Sequence, residues 1–380
     1  MPGARASIST TSLTPQYVRL KELTAGTADP GVFNGGVWTV ARKRDGRRFV
    51  EKLLPTATIQ NGMAERECII IRSLIHRNVL RFVDAFIDAP GLQASLYTDH
   101  CDLGNLDEVI RQHARRREPV PEGFARHVMT SLTNALAFCH AGVSDPLSHP
   151  ATARLDRWLA VVHRDLKPGN VFLTSSPNPH AFSTRTSANT SNSHPLFNST
   201  PNAASLRAVY PRVVLGDFGC CIRQDSPGYD RPLCAGALYI QPPETPKFSE
   251  QGDIWALGAV MQMLCRRDGG PLVHRPPGCR LALTYHDWMR RDEAWNPLGA
   301  GPVYTQALNY VVGRCQELDR RSRPYATQLA HMLDTCFKRD LVLLRPLPSW
   351  SLPGGAGYDG GGGGGGGEEQ RRGVKECEDF

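Results

Sequence analysis

The run His163-Arg164-Asp165-Leu166-Lys167-Pro168-Gly169-Asn170 is followed, after a long polar stretch, by Asp217-Phe218-Gly219. These residue types in this order suit one chemistry. A hydroxyl that attacks a phosphoryl group must be oriented and relieved of its proton, and Asp165 offers a carboxylate for that purpose. Lys167, two residues on, can offset charge on a phosphoryl group in transit. Asn170 and Asp217 supply hard oxygen donors of the kind Mg²⁺ prefers, and Gly219 lets the backbone turn sharply behind Asp217. Eight ordered positions plus a second motif are too specific to be solvated loop residues met by chance.

Working outward, alternating apolar positions in 17–23, 36–41 and 48–54, with the Asp45-Gly46 turn, predict a small antiparallel sheet. The stretch 65–74 has helical spacing, and 80–88 and 94–98 read as two more strands. Past Asn105 the character changes, and 106–117, 123–141, 252–265, 304–316 and 327–337 read as helices. A sheet-rich front and a helix-rich back predict an α+β fold of two lobes, 17–98 and 99–345.

Some stretches break the pattern. Residues 144–159 contain Pro and Ser and interrupt the path from a helix to the apolar strand 160–162, while 175–208 are rich in Ser, Asn, Thr and Pro. Both are expected as loose surface loops inserted in the second lobe. The run 354–367 is nearly all glycine, so 346–380 is expected as a disordered tail, and 1–16 as a flexible N-terminus.

Composition bounds the function. The 380 residues, 41% hydrophobic and 21% charged, suit a soluble globular chain, and the longest apolar run, 254–265, suits a buried helix better than a membrane span. The net charge of +7 comes from dispersed basic residues, apart from Arg115, Arg116 and Arg117, which read as a solvated helix end. Neither a membrane nor a direct nucleic-acid partner is expected. Eleven cysteines lack metal-ligand spacing, which suits reduced thiols in a cytoplasmic or nuclear protein.

With these motifs in place, the chain resembles the eukaryotic protein kinase superfamily from about Tyr17 to Phe337, and Lys167 after Asp165 resembles its serine/threonine class. The resemblance implies ATP bound between the lobes, Mg²⁺ as cofactor, and transfer of the γ-phosphate to a hydroxyl of a protein substrate. It implies that Lys52, in Phe49-Val50-Glu51-Lys52, grips the α- and β-phosphates and pairs with a glutamate on the next helix. Glu65 and Glu67 both qualify. Glu67 is preferred because its distance to His76-Arg77-Asn78-Val79 matches the family's helix-to-strand spacing. Thr98 is implied as the gatekeeper and Asp99, His100 and Cys101 as the hinge that reads the adenine edge, with Val37 and Val50 roofing the base and Phe172 below it. Pro242-Pro243-Glu244 resembles the close of the activation segment, Arg323 the ion-pair partner of Glu244, and Asp253 the helix start that anchors the catalytic loop. The runs 170–173 and 135–140 and the hinge cysteine are similar to NIMA-related (NEK-like) kinases, particularly divergent fungal ones, with calcium/calmodulin-type kinases the next candidate.

Two departures favour a rival reading, a pseudokinase that serves as a scaffold or allosteric partner. Aligning Gly35-Gly36-Val37 with the end of the family's glycine loop puts Pro30 and Val32 where the first two glycines belong. Only Gly31 and Gly35 then remain to bring backbone N–H groups to the phosphates. Ala237 follows Gly236 where the family has a threonine or serine, so the hydroxyl bridge to the catalytic carboxylate and lysine is expected to be missing. The segment 220–235 offers only Ser226 and Tyr229 as hydroxyl residues, neither at the usual activating position.

Overall fold

Alternation of apolar and polar side chains along five segments produces the sheet. Strands β1 (Tyr17–Glu22), β2 (Val37–Arg42), β3 (Arg48–Leu53), β4 (Phe82–Asp88) and β5 (Gln93–Asp99) pair antiparallel in the order β1-β2-β3-β5-β4. The β2–β3 turn carries its own chemistry: Gly46 adopts φ +67° and Asp45 Oδ1 accepts the Arg47 N–H at 3.1 Å. The structure is a computed structural model that describes residues 14–23, 35–175, 210–226, 229, 236–244, 249–267, 297–298, 303–339 and 345–353.

The two sheet faces differ. The outer face holds a small aromatic core of Tyr17, Phe49 and Tyr97 around Val40, with the Tyr17 and Tyr97 rings stacked at 4.4 Å. Glu51 is fully buried there, and its carboxylate accepts bonds from Arg19 (2.6 Å), Ser95 (3.0 Å) and Tyr97 (2.8 Å), which satisfies the buried charge. The other face packs on α2 (Met63–Ser73), which follows a short α1 (Thr56–Gln60) that the sequence pattern does not announce.

Helices α3 (Leu106–Arg116), α4 (Glu122–Ala141), α5 (Glu250–Arg266), α6 (Gln306–Cys315) and α7 (Ala326–Arg339) form the second lobe. Asn105 caps α3 by accepting the Glu108 N–H at 3.1 Å, and Thr305 caps α6. Residues Gly252 to Cys265 of α5 are all buried, which is why the longest apolar run lies there. Among the described residues no helix is long and apolar enough to cross a membrane. Two small ribbons complete the lobe, β6 (Val161–Val162) with β9 (Ile222–Arg223) and β7 (Val171–Thr174) with β8 (Arg212–Leu215).

Three expectations about loose segments need correction. Residues 144–159 lie at the surface, as expected, but are tied down rather than loose: the Trp158 indole donates to Cys139 O at 3.0 Å, Arg154 bonds His140 O (2.8 Å) and Glu250 (2.7 Å), and His331 faces the Pro146 and His149 carbonyls. The tail does not begin at 346, because Leu347, Ser351 and Leu352 are buried. Trp350 lies 4.6 Å from His113, Ser351 Oγ is 2.9 Å from His113 Nε2, and Tyr210 donates to Arg345 O. At the N-terminus, the Thr14 N–H already donates to Tyr97 OH at 3.3 Å. All three rest on long-range contacts of polar or isolated apolar residues, which carry no periodicity. Residues 176–209, 354–380 and Gly31 lie outside the described residues.

Candidate active site

The loop between β6 and β7 has little regular structure, and Asp253 at the start of α5 holds it. This carboxylate, 2% exposed, accepts the His163 N–H (2.7 Å) and His140 Nε2–H (2.9 Å) at Oδ2 and the Arg164 N–H (2.9 Å) at Oδ1. Burial alone would raise its pKa, but the His140 hydrogen bond and the neighbouring histidines outweigh it and hold the group below the usual carboxylate value. The bonds also offset strain, because Arg164 is held at φ +66°. His163 spans the loop: its Nδ1 accepts the Asp165 N–H at 3.3 Å and its Nε2–H donates to Gly216 O at 3.1 Å.

Asp165 is buried and engaged on both oxygens. Oδ2 accepts from Lys167 Nζ (2.9 Å) and Asn170 Nδ2 (3.0 Å), and Asn170 Nδ2 also donates to Asp165 O (2.8 Å). Oδ1 accepts the main-chain N–H of Ala237 at 2.8 Å. The hydroxyl bridge is missing at Ala237, as expected, but a peptide N–H, which that expectation did not consider, ties the segment to the carboxylate. Burial pulls the Lys167 pKa down, and the adjacent Asp165 charge more than restores it.

Lys52 on β3 joins elements far apart in the chain. Its Nζ lies 2.8 Å from Glu67 Oε1 and 2.7 Å from Asp217 Oδ1. Glu67 is buried on α2 whereas Glu65 is exposed, so the helix phase selects between the two candidates. Burial would push the ammonium down, but the Asp217 and Glu67 charges hold its pKa above the ordinary value. Burial raises the Glu67 carboxyl, and Lys52 only partly opposes that. Burial acts the same way on Asp217, but there the Lys52 charge prevails and its carboxyl is lowered. Asp217 adopts φ +59°, Phe218 behind it is fully buried, and a Cβ at Gly219 would come within 3.3 Å of both Glu67 Oε2 and Lys52 Nζ.

Among the residues expected around the adenine, Thr98 is buried on β5 opposite Val50, and Val37 pairs with Lys52 across β2 and β3. The Asp99 carboxylate is spent on Arg81 (2.8 and 2.6 Å). Burial pushes the Cys101 thiol up to about 12. Phe172 packs over Gly216, where a Cβ would lie 2.8 Å from its ring. The Gly35 N–H donates to Leu53 O at 2.8 Å. Arg323, its side chain fully buried, holds both Glu244 oxygens at 2.7 and 2.8 Å and lies over the Trp255 ring at 4.8 Å. Sequence reasoning missed His140 as the third partner of Asp253 and the Ala237 amide; no sequence signal marks a peptide N–H.

Residues 31–332 match the protein kinase domain family. The human serine/threonine-protein kinase Nek2 is 28% identical over 232 residues, 60% of this chain and 42% of that protein. The G2-specific protein kinase nim-1 of Neurospora crassa is 26% identical over 314 residues, 78% of this chain and 31% of that protein. Its counterpart nimA of Emericella nidulans is 26% identical over 310 residues, 76% of this chain and 38% of that protein. The chain therefore spans less than half the length of these relatives. It belongs to the protein kinase family, and these three relatives are NIMA-related serine/threonine kinases.

Proposed function

We propose that the chain is an active serine/threonine protein kinase that moves the γ-phosphate of ATP onto a hydroxyl of a protein substrate. The observation that carries this reading is the assembly of both Lys52–Glu67–Asp217 and Asp165–Lys167–Asn170. Both are complete at hydrogen-bond distance, which a fold kept only as a scaffold does not require.

Asp165 orients the substrate hydroxyl and accepts its proton, and Lys167 beside it neutralises charge on the moving phosphoryl group. Lys52, held by Glu67, reaches the α- and β-phosphates. The donor set suits Mg²⁺: both amide hydrogens of Asn170 are spent on Asp165, which leaves its Oδ1 for a cation, and Asp217 keeps Oδ2 beyond its Lys52 bond. When bound, the metal draws negative charge from the phosphate oxygens. The Thr98–Cys101 hinge, with Val37, Val50 and Phe172, forms the adenine slot in this reading, and Gly31 lies in the phosphate loop; the Gly35 N–H expected there is instead spent on Leu53 O.

Pro30 and Val32 in the phosphate loop favour the scaffold reading. Incubating purified protein with Mg-ATP and a mixed serine, threonine and tyrosine peptide library, followed by mass spectrometry, separates the two. Phosphoserine or phosphothreonine that disappears with Asp217→Ala supports the kinase; no transfer from folded protein refutes it.

A further inference from the structure

We propose that Gly236 and the peptide N–H of Ala237 are the positioning device for Asp165, and that they reserve Oδ1 as the atom that receives the substrate's proton. The inference rests on the transferase reading above. A carboxylate oxygen has two lone-pair directions. Oδ2 spends both, on Lys167 at 2.9 Å and Asn170 at 3.0 Å. Among the described residues Oδ1 spends one, on the Ala237 N–H at 2.8 Å, and the other is left for a hydroxyl.

Only glycine allows this approach. Gly236 adopts φ +76°, and a Cβ there would lie 2.3 Å from Arg164 O and 2.9 Å from Asp165 Oδ1, distances no side chain tolerates. The device is anchored on both sides. Below it, Asp253 grips the Arg164 N–H. Above it, the Ile240 N–H donates to Ala237 O at 3.1 Å, and Ile240 is buried. A hydroxyl side chain in this role has a rotamer to lose and can also accept a bond, whereas a peptide N–H donates only and is fixed by the backbone. The carboxylate is therefore oriented without any side chain at 237, and adding a hydroxyl there should gain little.

Proline at 237 tests this directly, because Ala237 sits at φ −73°, close to the value proline imposes, and proline removes the N–H. We expect Ala237→Pro to lower kcat for a protein substrate roughly ten- to hundredfold, the worth of a hydrogen bond to a charged group. The KM for ATP should hold, as should the affinity for a non-hydrolysable ATP analogue. Gly236→Ala should show the same split, and Ala237→Thr, which keeps the N–H, should stay within about threefold of the parent. A proline variant with the parent's kcat overturns the inference, as does a threonine variant about tenfold faster. If the proline variant melts early, the threonine and Gly236→Ala variants decide. A parent chain that transfers nothing refutes the transferase reading and this inference with it; a parent and a proline variant that transfer equally refute this inference alone.

Discussion

Replacing Asp253 by Asn keeps the shape of the side chain and removes its charge, and three buried donors report the change. The best amide orientation leaves its oxygen where Oδ2 was, facing the His163 N–H and His140 Nε2, and turns its NH₂ toward the Arg164 N–H. One buried N–H then lacks an acceptor, at about 1–3 kcal/mol, and two charge-assisted bonds become neutral ones, at about 1 kcal/mol each. The sum is about 3–5 kcal/mol, and at roughly 2–4 °C per kcal/mol the melting temperature should fall by about 6–20 °C. Arg164 is also freed to leave φ +66°, which moves Asp165 with it. A displacement of about 1 Å at the reacting group costs on the order of a hundredfold in rate. Acid should narrow the difference between the two proteins. The Asp253 carboxyl is lowered in the folded chain, so the stability it contributes is present above the unfolded value of about 3.9 and lost as pH falls through the folded one. Calorimetry from pH 7 to 3 and steady-state kinetics check both parts. A variant that melts within about 2 °C of the parent and retains its kcat would refute the assignment of Asp253 as the clamp.

Asp165→Asn and Asp217→Ala should each leave a folded protein with less than about a tenth of the parent's transfer rate, a loss above ~1.4 kcal/mol; activity with a thermal-melt control reads this. Replacing residues 176–209 by a short Gly-Ser bridge should preserve soluble expression and activity, because Thr174 already pairs with Arg212 and the β7–β8 ladder closes without the segment. Loss of either would show that the segment contributes to folding. Trp350→Ala should lower the melting temperature by a few degrees, through loss of ring contacts with His113 and Arg116 worth about 1–2 kcal/mol, with kcat unchanged.

The sequence by itself picked out the candidate site residues. Asp165, Lys167, Asn170 and Asp217 announce themselves because their spacing is local and their types are rare together, and the five strands and main helices follow from apolar periods of 2 and 3.6. The resemblance to protein kinases, carried by these motifs, also implied Glu67, through the family's spacing to His76, and the Arg323–Glu244 and Asp253 anchors. Tertiary structure alone decided the rest. The short helix at Thr56, the packed loop 144–159 and the docked segment 345–353 have no periodicity, since their contacts come from single residues meeting partners distant in the chain. Lys52 and Asp217, 165 positions apart, meet only once the sheet and the β8 turn are stacked. The bond from the Ala237 amide to Asp165 was invisible for a deeper reason. Every residue but proline carries a peptide N–H, so composition cannot mark which one is aimed at a carboxylate; only the backbone path through Gly236 does.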